Sequence, residues 1–335
     1  MARRRQLGIG ERAVDFVVPG ESGSPERFYA YAGGRPTVIV FDDGGWDEQF
    51  DTLADRLCGR DDVALHRVTA ERAAESAAFR TWSDPERTVA GAYGLLPGTS
   101  AAVVLDPNLR IVGIVGIVGI VGIDAGADLA SAVAELLDHA GHRDEPVEIR
   151  AQAPVLLVPR MLDPAQRDEL IRVWHEAGAT ATGVARQSGE ELDAAMKKRV
   201  DHVVRDPDLL RHLTTTIGRR LLPEVRRAFA FNATRFEGFK IACYDASTGG
   251  FFRSHRDNLT PATAHRAFAL TLNLNDDYVG GQLRFPEYGN DLYRPDAGTA
   301  LVFSCAHLHE VLDVTAGRRF VLLSFLYPEP PESAT

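Results

Sequence analysis

The residues whose types and spacing could do chemistry lie in the second half of the chain. His255 and Asp257 stand two positions apart in the run FFRSHRD, and in a strand the period of two would point both side chains to the same face. An imidazole and a carboxylate that converge suit a borderline divalent metal. With a second histidine they would form a 2-His-1-carboxylate triad that leaves open positions on iron. The pair therefore predicts a metal site that needs one more histidine downstream.

A His-x-Asp pair is a weak signal when it stands alone, because about one is expected by chance in a chain of this length. The same letters recur at His142 and Asp144. That second pair lies in a polar stretch with no β pattern after it, so we interpret it as a solvated loop. For the first pair, His307 and His309 downstream are both candidates for the third ligand.

Short β patterns surround the candidate metal site. From residue 239 onward, brief apolar runs alternate with Gly, Pro and Asn turns, which is typical of a sandwich or jelly roll. An apolar strand at residues 154–158 and helices at residues 164–177 and 206–229 precede this region. The later β runs are predicted at residues 268–275, 280–286, 298–303, 305–311 and 317–323. The second half is therefore expected to be an α+β domain with a β core.

This succession of motifs resembles the catalytic domain of the iron(II)- and 2-oxoglutarate-dependent oxygenases, in their prolyl 4-hydroxylase-like branch. The resemblance implies a double-stranded β-helix, or jelly roll, at residues 150–330. It also implies that His255, Asp257 and His309 are the catalytic residues and bind the iron. His309 is preferred over His307 because the family has His-Glu-Val at this place.

The resemblance further implies a basic residue that holds the C5 carboxylate of 2-oxoglutarate. A spacing of ten after the last histidine gives Arg319, and a spacing of nine gives Arg318; Arg319 is the expected anchor and Arg318 the alternative. A guanidinium fork pairs with a carboxylate through two hydrogen bonds, which explains the choice of arginine. Tyr244 matches a family position whose hydroxyl faces the cosubstrate or the substrate. A tyrosine that only packs its ring in the core is the competing interpretation.

The implied activity is that of a dioxygenase that uses iron(II), 2-oxoglutarate and dioxygen, with ascorbate as an optional reductant, to hydroxylate an unactivated C–H bond. Relatives that halogenate lack the carboxylate that Asp257 supplies here, so hydroxylation is favoured. The branch suggests a prolyl or other side chain of a protein or peptide as substrate. A free amino acid or a small metabolite is the alternative, since fold resemblance is a weak guide to substrate.

The first half of the chain alternates strands and helices in the manner of an α/β domain. Strands are predicted at residues 36–41, 62–68 and 101–105, and helices at residues 47–57, 85–93 and 128–139. Short sequence motifs resemble the peroxiredoxin branch of the thioredoxin-like fold. They lie at residues 10–16, 37–41, 89–94 and 102–106. The resemblance implies a thioredoxin-like domain at residues 1–145.

Thiol chemistry is not expected of this domain. The attacking cysteine of the resembled family follows the central strand, where this chain reads DDGGWDE. Cys58 lies at the far end of the next predicted helix, where we expect a small buried residue. We therefore predict a domain without thiol chemistry, which could serve as a binding or scaffolding module.

One repeat interrupts the first half. Ile-Val-Gly occurs four times over residues 111–122, a run too short to cross a bilayer, which takes roughly 20 apolar residues. It also lacks the GxGxxG spacing of a dinucleotide loop. We interpret it as an extension of a buried strand or its turn. The polar stretch at residues 141–146 is the predicted boundary between the halves.

Composition excludes several classes of protein. The chain has 335 residues, 45% of them hydrophobic, and a net charge of −10, which disfavours binding to nucleic acid over a broad surface. Three widely spaced cysteines form neither a disulfide framework nor a CxxC motif. No export signal or membrane span is visible, so a cytoplasmic protein is expected. The oligomeric state stays open.

Overall fold

The computed structural model of the protein describes residues 7–19, 24–70, 79–116, 128–141, 145–146, 148–186 and 189–329. The chain divides into two units, Met1–Pro146 and Val147–Thr335. His142 and Asp144 lie outside the described residues, and so does the part of the Ile-Val-Gly run beyond Gly116. Each unit has its own sheets and its own apolar clusters.

The N-terminal unit is built from seven strands and three α-helices among its described residues. These are β1 (Val17–Pro19), β2 (Pro25–Arg27), β3 (Thr37–Asp42), α1 (Asp47–Leu57), β4 (Ala64–Thr69), β5 (Arg80–Ser83), α2 (Thr88–Ala92), β6 (Ala101–Leu105), β7 (Ile111–Val115) and α3 (Leu129–Asp138). Five strands form one sheet in the order β5-β4-β3-β6-β7, and β1 pairs with β2 separately. In the larger sheet β3 is parallel to β4 and antiparallel to β6.

The central strand β3 is buried at every position, as expected of a strand covered on both faces. Its side chains alternate between two apolar clusters. Ile39 and Phe41 belong to one cluster, which includes residues of β5, β6 and α2. Val38 and Val40 belong to the other, which includes residues of α1 and α3. The alternation of β3 thus gives the sheet a core on each face.

The helix predicted at residues 85–93 is shorter in the structure, where α2 covers Thr88–Ala92. The side chain of Asp84 accepts hydrogen bonds from the backbone N–H groups of Thr88, Val89 and Ala90, at 2.8, 3.0 and 2.9 Å. These groups would otherwise lack partners at the start of a helix. The carboxylate therefore fixes where α2 begins.

The expectation that Cys58 is buried is wrong, because Cys58 is exposed. It directly follows α1, whose buried side chains are Phe50, Leu53 and Ala54. A residue past the last helical turn has left the apolar stripe that faces the sheet. After β3, where the resembled family has its thiol, Asp43 forms an ion pair with Arg87.

The C-terminal unit contains two α-helices and seventeen strands among its described residues. These are β8 (Leu156–Val158), α4 (Pro164–Ala177), β9 (Thr180–Ala181), β10 (Val184–Arg186), β11 (Gly189–Glu191), β12 (Lys197–Lys198), β13 (Val200–Val203), α5 (Pro207–Phe229), β14 (Arg235–Phe236), β15 (Lys240–Asp245), β16 (Phe251–His255), β17 (Phe268–Asn273), β18 (Val279–Gly280), β19 (Leu283–Arg284), β20 (Leu292–Tyr293), β21 (Ala300–Ser304), β22 (His309–Val311), β23 (Val314–Ala316) and β24 (Arg318–Tyr327). In the part of the chain that the structure describes, no helix combines the length and the apolar character needed to cross a membrane.

Two antiparallel sheets organise this unit. The larger has the order β8-β21-β17-β24-β15-β13-β9, with β14 also paired to β24, and the smaller has the order β12-β16-β22-β19-β20. One apolar cluster joins α4 and α5 to the larger sheet. A second contains side chains of both sheets, among them Leu283, Phe303 and Val311. Two sheets around a shared apolar cluster are the arrangement expected of a jelly roll.

Several strands differ from the sequence prediction in extent. The run at residues 280–286 is divided between β18 and β19, and the run at residues 305–311 is a strand only in β22. The amide N–H of His307 donates to the carbonyl of Ser304 at 3.0 Å, so a turn precedes β22. The five short strands β9 to β13 had no prediction. Both helices are close to their predicted bounds, because Asp163 and Asp206 cap them.

Candidate metal and cosubstrate site

Two strands of the smaller sheet bring the candidate ligands together. His255, the last residue of β16, pairs across the sheet with His309, the first residue of β22. The centroids of the two imidazoles lie 4.3 Å apart. Asp257 lies beyond the end of β16, where its amide N–H donates to the carbonyl of Cys305 at 3.0 Å. This bond, rather than a continuing strand, directs the carboxylate toward the histidines.

One ligand atom from each of His255, Asp257 and His309 lies within 4.8 Å of the others. Nε2 of His255 is 3.5 Å from Oδ1 of Asp257, and Nε2 of His309 is 3.4 Å from Oδ2. Nδ1 of His255 lies 2.7 Å from the carbonyl of Arg253, and Nδ1 of His309 lies 3.0 Å from the carbonyl of His307. Because a carbonyl can only accept, each Nδ1 donates, and Nε2 is the ring nitrogen that each histidine turns toward the carboxylate.

The charge states of the triad also suit a cation. Burial lowers the pKa of His309 to about 4, so this imidazole is neutral at pH 7. Burial acts to raise the pKa of Asp257, but the charge of the histidines in their protonated form and the charge of Arg266 lower it to about 2, so the carboxylate is ionised. Two imidazole Nε2 atoms and an ionised carboxylate thus face one another, and all three can donate electron pairs to a cation. The three residues therefore fit a divalent metal.

Aromatic rings cover the two histidines. The ring of Phe252 stacks on His255 with centroids 3.5 Å apart, and the ring of Phe303 lies 4.5 Å from His309. The structure does not bring His307 to the triad; its imidazole contacts Tyr288 instead, at 5.1 Å between centroids. Of the two histidines that the sequence left open, His309 is the one that lies beside His255 and Asp257.

The two candidate arginines on β24 have opposite environments. Arg319 is 2% exposed, and its Nη2 donates to Oδ1 of Asn273 at 3.1 Å. Among the described residues it has no carboxylate partner, and its Nε has no hydrogen-bond partner. The side chain of Arg318 is 52% exposed, and its Nε donates to Oδ2 of Asp245 at 2.8 Å. A buried cation without a counter-ion is suited to an anionic ligand, and of these two arginines Arg319 meets that description.

Tyr244 lies next to this buried cation. It pairs with Arg319 across β15 and β24, and the guanidinium carbon of Arg319 is 5.4 Å from the centre of its ring. Its hydroxyl oxygen accepts a hydrogen bond from Nη1 of Arg199 at 3.2 Å. Tyr244 is also a member of the apolar cluster shared by the sheets. The ring thus packs in the core, while the hydroxyl takes part in a polar network beside the buried guanidinium of Arg319.

Sequence reasoning missed two of these residues, Arg199 and Asn273. Arg199 follows two lysines and resembles a run of solvated surface charge. Its spacing from Asp201 is the signal that could have found it, because alternate residues of a strand share a face. Asn273 lies in a predicted strand, but nothing in its sequence neighbours indicates that it bonds to Arg319.

Part of the C-terminal unit matches a known family model. Residues 239–327 match the 2OG-Fe(II) oxygenase superfamily. The matched segment contains all five candidate residues, which are Tyr244, His255, Asp257, His309 and Arg319. The predicted relation to the iron(II)- and 2-oxoglutarate-dependent oxygenases is therefore confirmed for this segment, and with it the jelly roll of the C-terminal unit.

Two curated relatives match part of the chain. A PKHD-type hydroxylase of Prochlorococcus marinus is 32% identical over 75 residues, which are 22% of this chain and 34% of the relative. A PKHD-type hydroxylase of a Synechococcus species is 30% identical over 93 residues, which are 26% of this chain and 41% of the relative. The match thus spans between a third and about two fifths of these relatives.

Solved structures of prolyl hydroxylases resemble about half of the chain. A prolyl 4-hydroxylase of Pseudomonas putida has 18% identity and a TM-score of 0.40, with 53% of this chain and 94% of that chain covered. A prolyl hydroxylase of Trichoplax adhaerens, in complex with a peptide fragment of the oxygen degradation domain of hypoxia inducible factor, has 15% identity and a TM-score of 0.44. There the coverage is 52% of this chain and 83% of that chain.

Proposed function

We propose that the protein is an iron(II)- and 2-oxoglutarate-dependent dioxygenase that hydroxylates an unactivated C–H bond. The observation that carries the proposal is the pairing of two features within the matched segment. One is the triad of His255, Asp257 and His309, and the other is the buried guanidinium of Arg319, which has no counter-ion among the described residues. The first suits a metal that keeps open positions, and the second suits a carboxylate.

Each candidate residue has a role in this proposal. His255, Asp257 and His309 would hold the iron, which when bound supplies the chemistry that couples oxidative decarboxylation of 2-oxoglutarate to hydroxylation. Arg319 binds the C5 carboxylate of 2-oxoglutarate, and the Tyr244 hydroxyl donates a hydrogen bond to the cosubstrate. Phe252 and Phe303 limit the access of water to the histidines.

The proposed substrate is a side chain of a protein or peptide, with a prolyl side chain as the first candidate. Support comes from the sequence resemblance to the prolyl 4-hydroxylase-like branch and from the hydroxylase names of the curated relatives. The alternative substrate is a free amino acid or a small metabolite. Both take the same chemistry at the same triad, so a product analysis separates them.

We also propose that the N-terminal unit is a thioredoxin-like binding module without thiol chemistry. Its support is the order of elements around the mixed sheet, in which β3 is parallel to β4 and antiparallel to β6. A second support is the stretch after β3, which carries carboxylates where the resembled family has its thiol. We place the protein in the cytoplasm, with neither nucleic acid nor membrane as a partner.

The direct test is turnover by the purified full-length chain with iron(II), 2-oxoglutarate and ascorbate. In the presence of peptide and metabolite fractions, we expect succinate to form and mass spectrometry to find a product with one added oxygen atom. Products in the peptide fraction alone would support the first substrate class, and products among the metabolites alone the second. Absence of succinate with every fraction, from a protein that binds iron, would contradict the proposed function.

A further inference from the structure

Three residues that are distant in sequence lie side by side on neighbouring strands of the larger sheet. Tyr244 on β15 pairs with Arg319 on β24. On the other side of β15, Val200 pairs with Cys243, so Arg199, one position earlier, lies beside Tyr244. Neighbours across strands share a face. The phenol of Tyr244 therefore lies between two guanidiniums.

The guanidinium of Arg199 is fixed by a second pairing. Its Nε lies 2.7 Å from Oδ1 of Asp201, and its Nη2 lies 2.7 Å from Oδ2. The hydroxyl of Thr182 also donates to Oδ2 of Asp201, at 2.5 Å. Asp201 is buried, and only a tenth of the Arg199 side chain is exposed. A two-point ion pair of this kind leaves the arginine little rotational freedom.

The direction of one hydrogen bond follows from this arrangement. A guanidinium has donors and no acceptor, so at the 3.2 Å contact with Arg199 the oxygen of Tyr244 must accept. The phenolic O–H is then left to donate elsewhere. Among the described residues no hydrogen bond from this O–H is formed. A buried donor without an acceptor costs free energy unless a ligand supplies one.

We propose that Arg199 is a positioning residue: held by Asp201, it occupies the acceptor side of the Tyr244 hydroxyl and so reserves the phenolic O–H for a carboxylate oxygen of 2-oxoglutarate. The inference rests on the proposed function, because it assigns the cosubstrate as the acceptor. Arg199 acts on cosubstrate binding only through Tyr244. Its effect should therefore vanish when the hydroxyl is absent.

The test compares three variants of the full-length chain. Changing Arg199→Met together with Asp201→Asn removes both members of the buried ion pair, so neither member is left without the other. Tyr244→Phe removes the hydroxyl alone, and the triple variant combines all three changes. The matched control is the arginine–aspartate pair between β24 and β15, Arg318→Met with Asp245→Asn, whose side chains are 52% and 26% exposed.

The measurement is the dissociation constant of 2-oxoglutarate, by calorimetry, for protein loaded with Mn(II) under anaerobic conditions. We expect the Arg199/Asp201 variant and Tyr244→Phe each to bind about tenfold more weakly, a change of about 1.4 kcal/mol. The triple variant should bind no more weakly than Tyr244→Phe, and the control should bind as the natural chain does. The affinity for Mn(II) should stay the same throughout, which a general loss of structure would not allow.

If the triple variant bound 2-oxoglutarate about a hundredfold more weakly, the two tenfold effects would have multiplied. Arg199 would then act independently of the hydroxyl, and the inference would be overturned. Unchanged binding in the Arg199/Asp201 variant would also overturn it. If that variant does not fold, Arg199→Lys keeps a charge and a donor and should show an intermediate affinity; full loss there would count against the proposal. If the natural chain binds Mn(II) but no 2-oxoglutarate, the proposed function itself fails, a result distinct from both others.

Discussion

Arg319 is held by a neutral partner, since its Nη2 lies 3.1 Å from Oδ1 of Asn273. Both side chains are buried. The amide nitrogen of Asn273 donates to the hydroxyl of Tyr278 at 3.0 Å and to the carbonyl of Pro295 at 2.6 Å, which fixes the amide oxygen on the side of the arginine. The guanidinium is thus positioned without being neutralised, and its charge stays available to a ligand.

The substitution Asn273→Asp should neutralise the charge of Arg319 and so remove it from 2-oxoglutarate. The carboxylate is nearly the same size as the amide but would pair with Arg319 and compete with the C5 carboxylate of 2-oxoglutarate. We expect binding of 2-oxoglutarate to weaken by roughly 100-fold or more, because the loss of one partner of a buried charge pair costs about 3–5 kcal/mol. Calorimetry on the folded fraction checks it, with Asn275→Asp as the matched control. If both variants bound 2-oxoglutarate equally weakly, the new carboxylate beside Arg319 would not be the cause of the weaker binding.

The two arginines of β24 should differ in their effect on the KM for 2-oxoglutarate. Arg319→Ala should raise the KM for 2-oxoglutarate by roughly 100-fold or more, because a buried charge pair that loses one partner costs about 3–5 kcal/mol. Arg318→Ala should change the KM little, since its ion pair with Asp245 is exposed. Metal binding should survive in both variants. A KM defect in Arg318→Ala alone would show that the cosubstrate is held on the other face of β24.

His66 should make the stability of the N-terminal unit depend on pH. Its Nδ1 accepts from the indole N–H of Trp82 at 3.1 Å, and burial, with the charges of Arg80 and Arg35, lowers its pKa to about 4. The unfolded chain protonates this imidazole below about pH 6.5. Stability is therefore full above pH 6.5 and is lost as the pH falls toward 4, by up to about 3 kcal/mol.

Unfolding of the full-length chain by denaturant, followed by fluorescence between pH 7 and pH 5, measures this effect. The His66→Gln variant cannot take up the proton, so its free energy of unfolding should vary less with pH than that of the natural chain. Identical pH slopes for the two proteins would mean that His66 is not protected from protons in the folded state.

The three cysteines should differ sharply toward a thiol reagent. Cys58 is exposed, whereas Cys243 and Cys305 are buried. Burial raises the pKa of the Cys243 thiol to about 12 and also raises that of Cys305, and a neutral thiol is a poor nucleophile. We expect one thiol to react in the folded protein and three after unfolding. Cys58→Ser should remove the fast reaction and leave succinate formation unchanged; hydroperoxide turnover that depends on Cys58 would contradict our view of the N-terminal unit.

The structure brings together the three residues that the sequence predicted as ligands, but for a reason that differs from the strand argument. The period of two assumes that His255 and Asp257 share a strand, whereas β16 ends at His255. Asp257 reaches the histidines because its amide bonds to the carbonyl of Cys305, a contact across nearly fifty residues of chain. Such a contact is a property of the fold and cannot be derived from local spacing.

The residues proposed to bind or position 2-oxoglutarate could be predicted from the sequence only in part. Alternation along β24 does separate Arg319 from Arg318, but the sequence alone could not say which face is buried. Arg199 was missed because its role depends on pairings on both sides of β15. Lateral neighbours on three strands are joined only when the sheet forms. Cys58 was misjudged for a simpler reason: it lies just past the end of α1, outside the apolar stripe that faces the sheet.

The most direct test of the account is the metal content of the natural chain and of its ligand variants. We expect the purified full-length protein to bind one iron(II) per chain, and His255→Ala, Asp257→Ala and His309→Ala each to lose that binding together with succinate formation. His307→Ala should retain both, and so should His142→Ala with Asp144→Ala, the second His-x-Asp pair of the sequence. Retention of iron by the triad variants, or equal loss in the two control proteins, would contradict the assignment of this site.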